Sequence, residues 1–254
     1  FVHGLSYFSY DWVDIGTRLA PDREGCAIDM RGFGDSSPSA ANDYTLPTMA
    51  KDLGAMLDHL GWQKAIILGH SMGGRTAAYF AAQNPERVAG LVLVDYSPDS
   101  APAGTARVAN IVANVPDTFA NVDEAMSYFG ADPHSPQNAG RRDRFTAYLR
   151  EVPGGYAVKR APFFRDQFRH LLATGERPAR GVDMWQTMQQ LQAPTLTLRG
   201  TRSDMFAAET AAKMTAANAR VNVVEIDAGH NLAAENPDAF YAAVHPFINS
   251  IQEN

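Results

Sequence analysis

Ile66-Ile67-Leu68-Gly69-His70-Ser71-Met72-Gly73-Gly74-Arg75 decides how this chain is read. The apolar run ending at Leu68 has the length and composition of a buried strand. The alanine-rich run from Thr76 to Ala82 reads as a helix. Gly-x-Ser-x-Gly lies between them. A serine on so sharp a strand-to-helix turn is held in a strained backbone conformation, with its hydroxyl raised above the sheet edge. The glycines are there for steric reasons, since a side chain at 69 or 73 would collide where the helix doubles back over the strand. The first helical N–H groups, beginning with that of Met72, then face whatever Ser71 attacks, which suits a developing oxyanion. The plain alternative is a glycine-rich turn with an incidental serine. The strand before and the helix after argue against it.

The same alternation continues on both sides. Phe1-Val2 and Cys26–Met30 read as short strands, with Asp14–Ala20 a short helix between them. Tyr44–Leu60 carries apolar residues at helical spacing, with Thr45 or Thr48 as a start cap and Gly61 as a stop. Leu91–Val94, Thr195–Leu198 and Val221–Ile226 read as further strands, and Phe206–Ala217 and Pro237–Ile251 as helices. Continuous apolar runs alternating with helices predict a parallel sheet covered on both faces. Ligands of such sheets sit beyond the carboxyl ends of the strands, where Gly4, Arg31, Ser71 and Asp95 all fall.

Between Ser100 and Leu191 the rhythm changes. Asn121–Phe129, Arg141–Val152 and Phe163–Ala173 read as separate helices, punctuated by Pro133, Pro136, Pro153-Gly154-Gly155 and Pro178, and no strong strand stands out. The expected architecture is therefore an α/β core of residues 1–98 and 192–254, with an all-helical cap of residues 99–191 over the carboxyl edge. Phe1-Val2-His3-Gly4 looks like the tail of a strand already under way, so N-terminal strands are expected to be missing.

Composition limits the function. The 254 residues carry a net charge of -6 and are 45% hydrophobic. That balance predicts a soluble protein with a substantial core and argues against nucleic acid as the partner. No apolar run is long enough for a membrane span. A single cysteine, Cys26, allows no internal disulfide and fits a reducing, cytoplasmic setting. No Cys/His cluster suggests a metal.

A serine hydroxyl needs a base within reach, and the base needs an orienting carboxylate. His230 is the best base of the seven histidines, because it follows the last strand in a loop opening Ala228-Gly229. His70 sits inside the turn, where its side chain should point away from Ser71. Two carboxylates compete. Asp204 lies past the penultimate strand in the chain order serine, acid, histidine and is preferred on that ground. Asp95 ends a strand close to Ser71 and remains the alternative acid. Asp227 is too close in sequence to His230 to reach around its ring. The expected oxyanion donors are the N–H groups of Met72 and of Leu5, in the loop after the first strand. Tyr7, Phe8, Trp12, Tyr96, Trp185 and Phe206 are the candidate substrate-binding aromatics, each also a good core residue.

Taken together, His3-Gly4, Asp29–Ser36, Gly69–Gly74, Arg199–Asp204 and Gly229-His230 resemble the α/β-hydrolase family, in family order across essentially the whole chain. Gly-His-Ser-Met-Gly-Gly with Leu93–Pro98 looks most like the small bacterial carboxylesterases, in some of which the acid comes from the Asp95 position. The resemblance implies a serine hydrolase cleaving a carboxylic ester or lactone through an acyl-enzyme. It would use no metal or organic cofactor, take a small apolar substrate, and work as a monomer or homodimer. Serine at position 71 removes the haloalkane dehalogenases and epoxide hydrolases of this fold, which use an aspartate there. The competing readings are a carbon–carbon bond hydrolase, a perhydrolase-like haloperoxidase, a cofactor-free dioxygenase, a ligand-binding receptor and a protein that keeps the fold without turnover.

Overall fold

Four parallel strands carry the site: β1 (Ala65–His70), β2 (Val88–Val94), β5 (Thr195–Gly200) and β6 (Val221–Ile226), in spatial order β1-β2-β5-β6. The computed structural model describes residues 1–19, 21, 23–99, 101–176 and 181–251. Ala20 and Pro178, read from the sequence as a helix end and a breaker, lie outside the described residues. The central strands β1 and β2 are mostly continuous apolar runs because helices cover both faces of the sheet, whereas the edge strand β6 exposes Asn222 and Glu225. Leu91, Val92 and Leu93 in β2 have no exposed surface. Val2 and Ile28, expected in strands, extend the sheet by single parallel bridges, Val2 to Gly69 and to Ile28.

Helices α1 (Val13–Leu19), α2 (Leu46–His59) and α3 (Met72–Gln83) precede β2. After β5 come α9 (Ala208–Ala217), α10 (Leu232–Glu235) and α11 (Pro237–Ser250). Helix α2 starts at Leu46 with Thr45 in the cap position, but the Thr45 hydroxyl donates to Asp43 rather than capping the helix. Gly61 stops it at φ 71°. Among the described residues no helix is long and apolar enough to cross a membrane.

Between β2 and β5 lie α4 (Pro102–Ala113), α5 (Val122–Tyr128), α6 (Ala139–Tyr148), α7 (Pro162–Thr174) and α8 (Met184–Gln190). The segment is not all-helical. Strands β3 (Leu149–Val152) and β4 (Gly155–Val158) form an antiparallel hairpin where the sequence pattern continued a helix to Val152. Pro153-Gly154-Gly155 is the reason. Both glycines have positive φ, 90° and 144°, so this trio turns a hairpin rather than merely ending a helix. Phe119 pairs with Tyr156 across its edge.

Candidate active site

Ser71 joins β1 to α3 with φ 52° and ψ −113°, the strained geometry its position predicts. Its N–H donates to Val94 O at 2.9 Å, which ties the turn to the end of β2. A Cβ on Gly69 would lie 2.6 Å from Gly73 O, and one on Gly73 would strike the carbonyls of Val2 and His3. The first turn of α3 therefore rests directly on the Val2–His3 backbone, which brings Leu5 and Met72 to the same end of the sheet. As the first residue of α3, Met72 has no intrahelical acceptor for its N–H. The Leu5 N–H has no protein acceptor among the described residues.

His230 follows β6. Its Nδ1 lies 2.6 Å from Asp95 Oδ2, so a neutral ring donates there and leaves Nε2 as the basic nitrogen. The Asp95 side chain is fully buried and sits on a backbone with φ 45°. It also accepts the Gly200 N–H at 2.9 Å and the Ser203 hydroxyl. Ser203 in turn accepts the Met205 N–H at 3.1 Å, so its hydroxyl is held in place.

Asp204, the preferred acid on sequence order, does not face His230. Both its oxygens take Arg107 on α4, from Nε and Nη2 at 2.7 Å each. That guanidinium holds the Asp204 carboxyl below the usual carboxylate range. The turn after β5 explains the correction. It points Ser203 inward at Asp95 and sends the next residue outward to α4.

His70 supplies a contact the sequence did not reveal. Its Nε2–H donates to the backbone oxygen of His230 at 2.9 Å, and the two rings lie 4.7 Å apart. Burial, with the adjacent His230 second, holds its imidazole well below the ordinary histidine range, so it stays neutral. Tyr7 packs edge-on to the other side of His70 at 4.8 Å, and burial pushes its hydroxyl up to about 12. His3 is buried and held below its ordinary range, chiefly by desolvation. It accepts the Met30 N–H at Nε2, at 3.0 Å, and donates from Nδ1 to Gly4 O at 2.7 Å, which pins the loop before Leu5.

The remaining aromatics are mostly core. Phe206 has no exposed surface. Phe8 packs on Tyr148, Trp12 on Phe1 and Phe240, and Tyr96 covers Gly74. Trp185 is half-buried and donates from Nε1 to Asp99 at 2.7 Å. All five make packing or hydrogen-bond contacts of this kind, whereas Tyr7 lies against His70, in a small cavity that Trp12 and His3 also line.

Sequence and structure comparisons identify the family. Residues 1–237 match the family described as alpha/beta hydrolase fold. The chain is 29% identical over 245 residues to 3-hydroxybutyrate-oligomer hydrolase of Cupriavidus necator, covering 90% of this chain and 80% of that protein. A 103-residue stretch, 41% of the chain, is 35% identical to 36% of the soluble epoxide hydrolase of a Corynebacterium species. The crystal structure of E-2-(acetamidomethylene)succinate hydrolase superposes with a TM-score of 0.83 at 25% identity, covering 98% of this chain and 90% of that one. A strained serine at a strand-to-helix turn, a histidine beyond the last strand and a family match across most of the chain lead to one conclusion: this protein belongs to the α/β-hydrolase fold family.

Proposed function

We propose that the protein is a serine hydrolase that cleaves a carboxylic ester or lactone. The observation that carries this reading is a strained Ser71 after β1 at the same end of the sheet as the His230–Asp95 pair. Ser71 attacks the carbonyl carbon while His230 Nε2 takes the hydroxyl proton. Asp95 holds the imidazole in that tautomer and stabilises its cation. The Leu5 and Met72 N–H groups receive the oxyanion. His230 then returns the proton to the leaving alcohol, and a water activated by the same imidazole hydrolyses the acyl-enzyme. Residues 99–191 act as a cap over this edge, joined to the core by the Arg107–Asp204 ion pair. None of these steps calls for a metal or an organic cofactor.

The test is hydrolysis of 4-nitrophenyl esters of increasing acyl length, wild type beside Ser71→Ala. Turnover that is lost in the variant supports the reading, and the best chain length sizes the acyl site. Turnover that survives in Ser71→Ala, or no turnover on any ester or lactone, overturns it.

A further inference from the structure

Two arginines flank Ser6, the residue after Leu5, and the protein treats them differently. Arg144 on α6 is neutralised. It holds Asp11 with Nε–Oδ1 at 2.5 Å and Nη2–Oδ2 at 3.0 Å, lies against the rings of Tyr7, Phe8, Phe145 and Tyr148, and reaches Ser6 O at 3.4 Å. Arg160, just beyond β4, is only 7% exposed. Among the described residues no carboxylate lies within ion-pair distance of it. Its side chain makes one long hydrogen bond there, Nη1–H to Ser6 Oγ at 3.5 Å.

The neighbouring charges are held elsewhere. Lys159 is taken by Asp35 at 2.7 Å, and Arg144 by Asp11. Asp29 spends its oxygens on the N–H groups of Ser9 and Asp35, at 2.7 and 2.9 Å. Among the described residues no carboxylate pairs directly with Arg160; Asp29 keeps its charge but is held by backbone N–H groups rather than by a cation. None of the Arg160 nitrogens is both sealed from solvent and without an acceptor, so the N–H groups that lack one keep some contact with solvent.

The position is also rigid. Phe33 and Arg160 pair across an antiparallel bridge, the Gly34 N–H donates to Lys159 O at 2.8 Å, and the Ala161 N–H donates to Gly32 O at 2.6 Å. Burying a guanidinium with no paired counter-charge is costly, and a structural role alone is met as well by an apolar side chain. A fixed guanidinium fork with open N–H groups matches a carboxylate.

We propose that Arg160 receives a carboxylate of the substrate, so that the ester or lactone cleaved at Ser71 carries an anionic group on the part that lies along the Ser6 loop. This amends the expectation of a purely apolar substrate, and its substrate assignment rests on the serine-hydrolase reading above.

The experiment has a kinetic arm and a binding arm. The kinetic arm compares the 4-nitrophenyl monoester of adipate with 4-nitrophenyl hexanoate, which has the same chain length with a methyl in place of the carboxylate. Wild type is expected to prefer the anionic ester. Arg160→Gln is expected to lower the anionic-to-neutral ratio of kcat/KM by about tenfold or more, through KM, as loss of a hydrogen-bonded charge pair implies. Arg160→Lys is expected to recover part of that ratio. The binding arm titrates adipate into Ser71→Ala and into Ser71→Ala/Arg160→Gln by calorimetry, with circular dichroism to check folding. Adipate affinity falling by about tenfold or more with Arg160 supports the site. Equal wild-type rates on the two esters overturn the proposal without any variant, as does adipate that fails to bind or binds both proteins alike. If no ester is turned over while Arg160-dependent adipate binding persists, the anion site stands and the esterase reading falls.

Discussion

The loops after β2 and β5 leave neighbouring strands at the same sheet edge, and each carries an aspartate, Asp95 directly after β2 and Asp204 a few residues past the end of β5. They do opposite things with it. Asp95 is fully buried, on a strained backbone, and gathers the Gly200 N–H, the Ser203 hydroxyl and His230. Asp204 is 36% exposed and is taken by Arg107 of the segment between β2 and β5. A carboxylate closed in among three donors is oriented and shielded from water. One at the surface is bound more by a flexible cation and screened by salt. Proximity to the site does not assign a role; the direction in which each loop turns its side chain does.

Asp95→Asn should break the comparison most severely. An amide in that place disfavours the His230 tautomer that leaves Nε2 basic, and kcat on a 4-nitrophenyl ester is expected to fall by about 10⁴-fold. If Asp204→Asn shows that loss instead, the roles are reversed.

Acid should act on the buried side of the site. The folded pKa of both His3 and His70 lies below the unfolded value of about 6.5, so below that pH the unfolded chain takes protons that the folded one refuses. Their contribution to stability is intact above that pH and is lost as pH falls through it, by up to about 1.4 kcal/mol per pH unit for each ring. Thermal melts of wild type, His3→Asn and His70→Asn across this range check it, and each variant should show a shallower acid slope. A wild-type melting temperature that is flat below this pH would refute it.

Ser203→Ala sharpens the picture on a smaller scale. Losing one hydrogen bond to the Asp95 carboxylate is expected to lower kcat by about tenfold, with KM nearly unchanged. Asp204→Asn should do least. Its ion pair is about a third to a half exposed, so urea titration should find stability within about 1 kcal/mol of wild type and kcat within about threefold.

Much of this was legible in the chain itself. The Ser71 turn, the parallel strands and most helices follow from apolar runs, helical spacing and glycines whose missing side chains are a local requirement. His230 follows from its place beyond the last strand. The hairpin β3–β4 was not legible, because Leu149–Val152 is short and continues the apolar spacing of α6; only the turn at Gly154-Gly155 and its pairing with Phe119 make it a strand. The role of His70 was hidden too, because its partner is a backbone oxygen 160 positions away.

The sequence by itself determined the local geometry: a serine forced into a strained turn, strands that must lie side by side, and a set of polar residues delivered to their carboxyl ends. Those outcomes depend on near neighbours, where sterics and periodicity act. Only the tertiary structure decided that Asp95 rather than Asp204 meets His230, and that Arg144 is neutralised while Arg160 is not. Such pairings join residues about a hundred positions apart or more. They depend on where each loop turns after its strand and on what burial leaves within hydrogen-bond reach, and no local pattern encodes either.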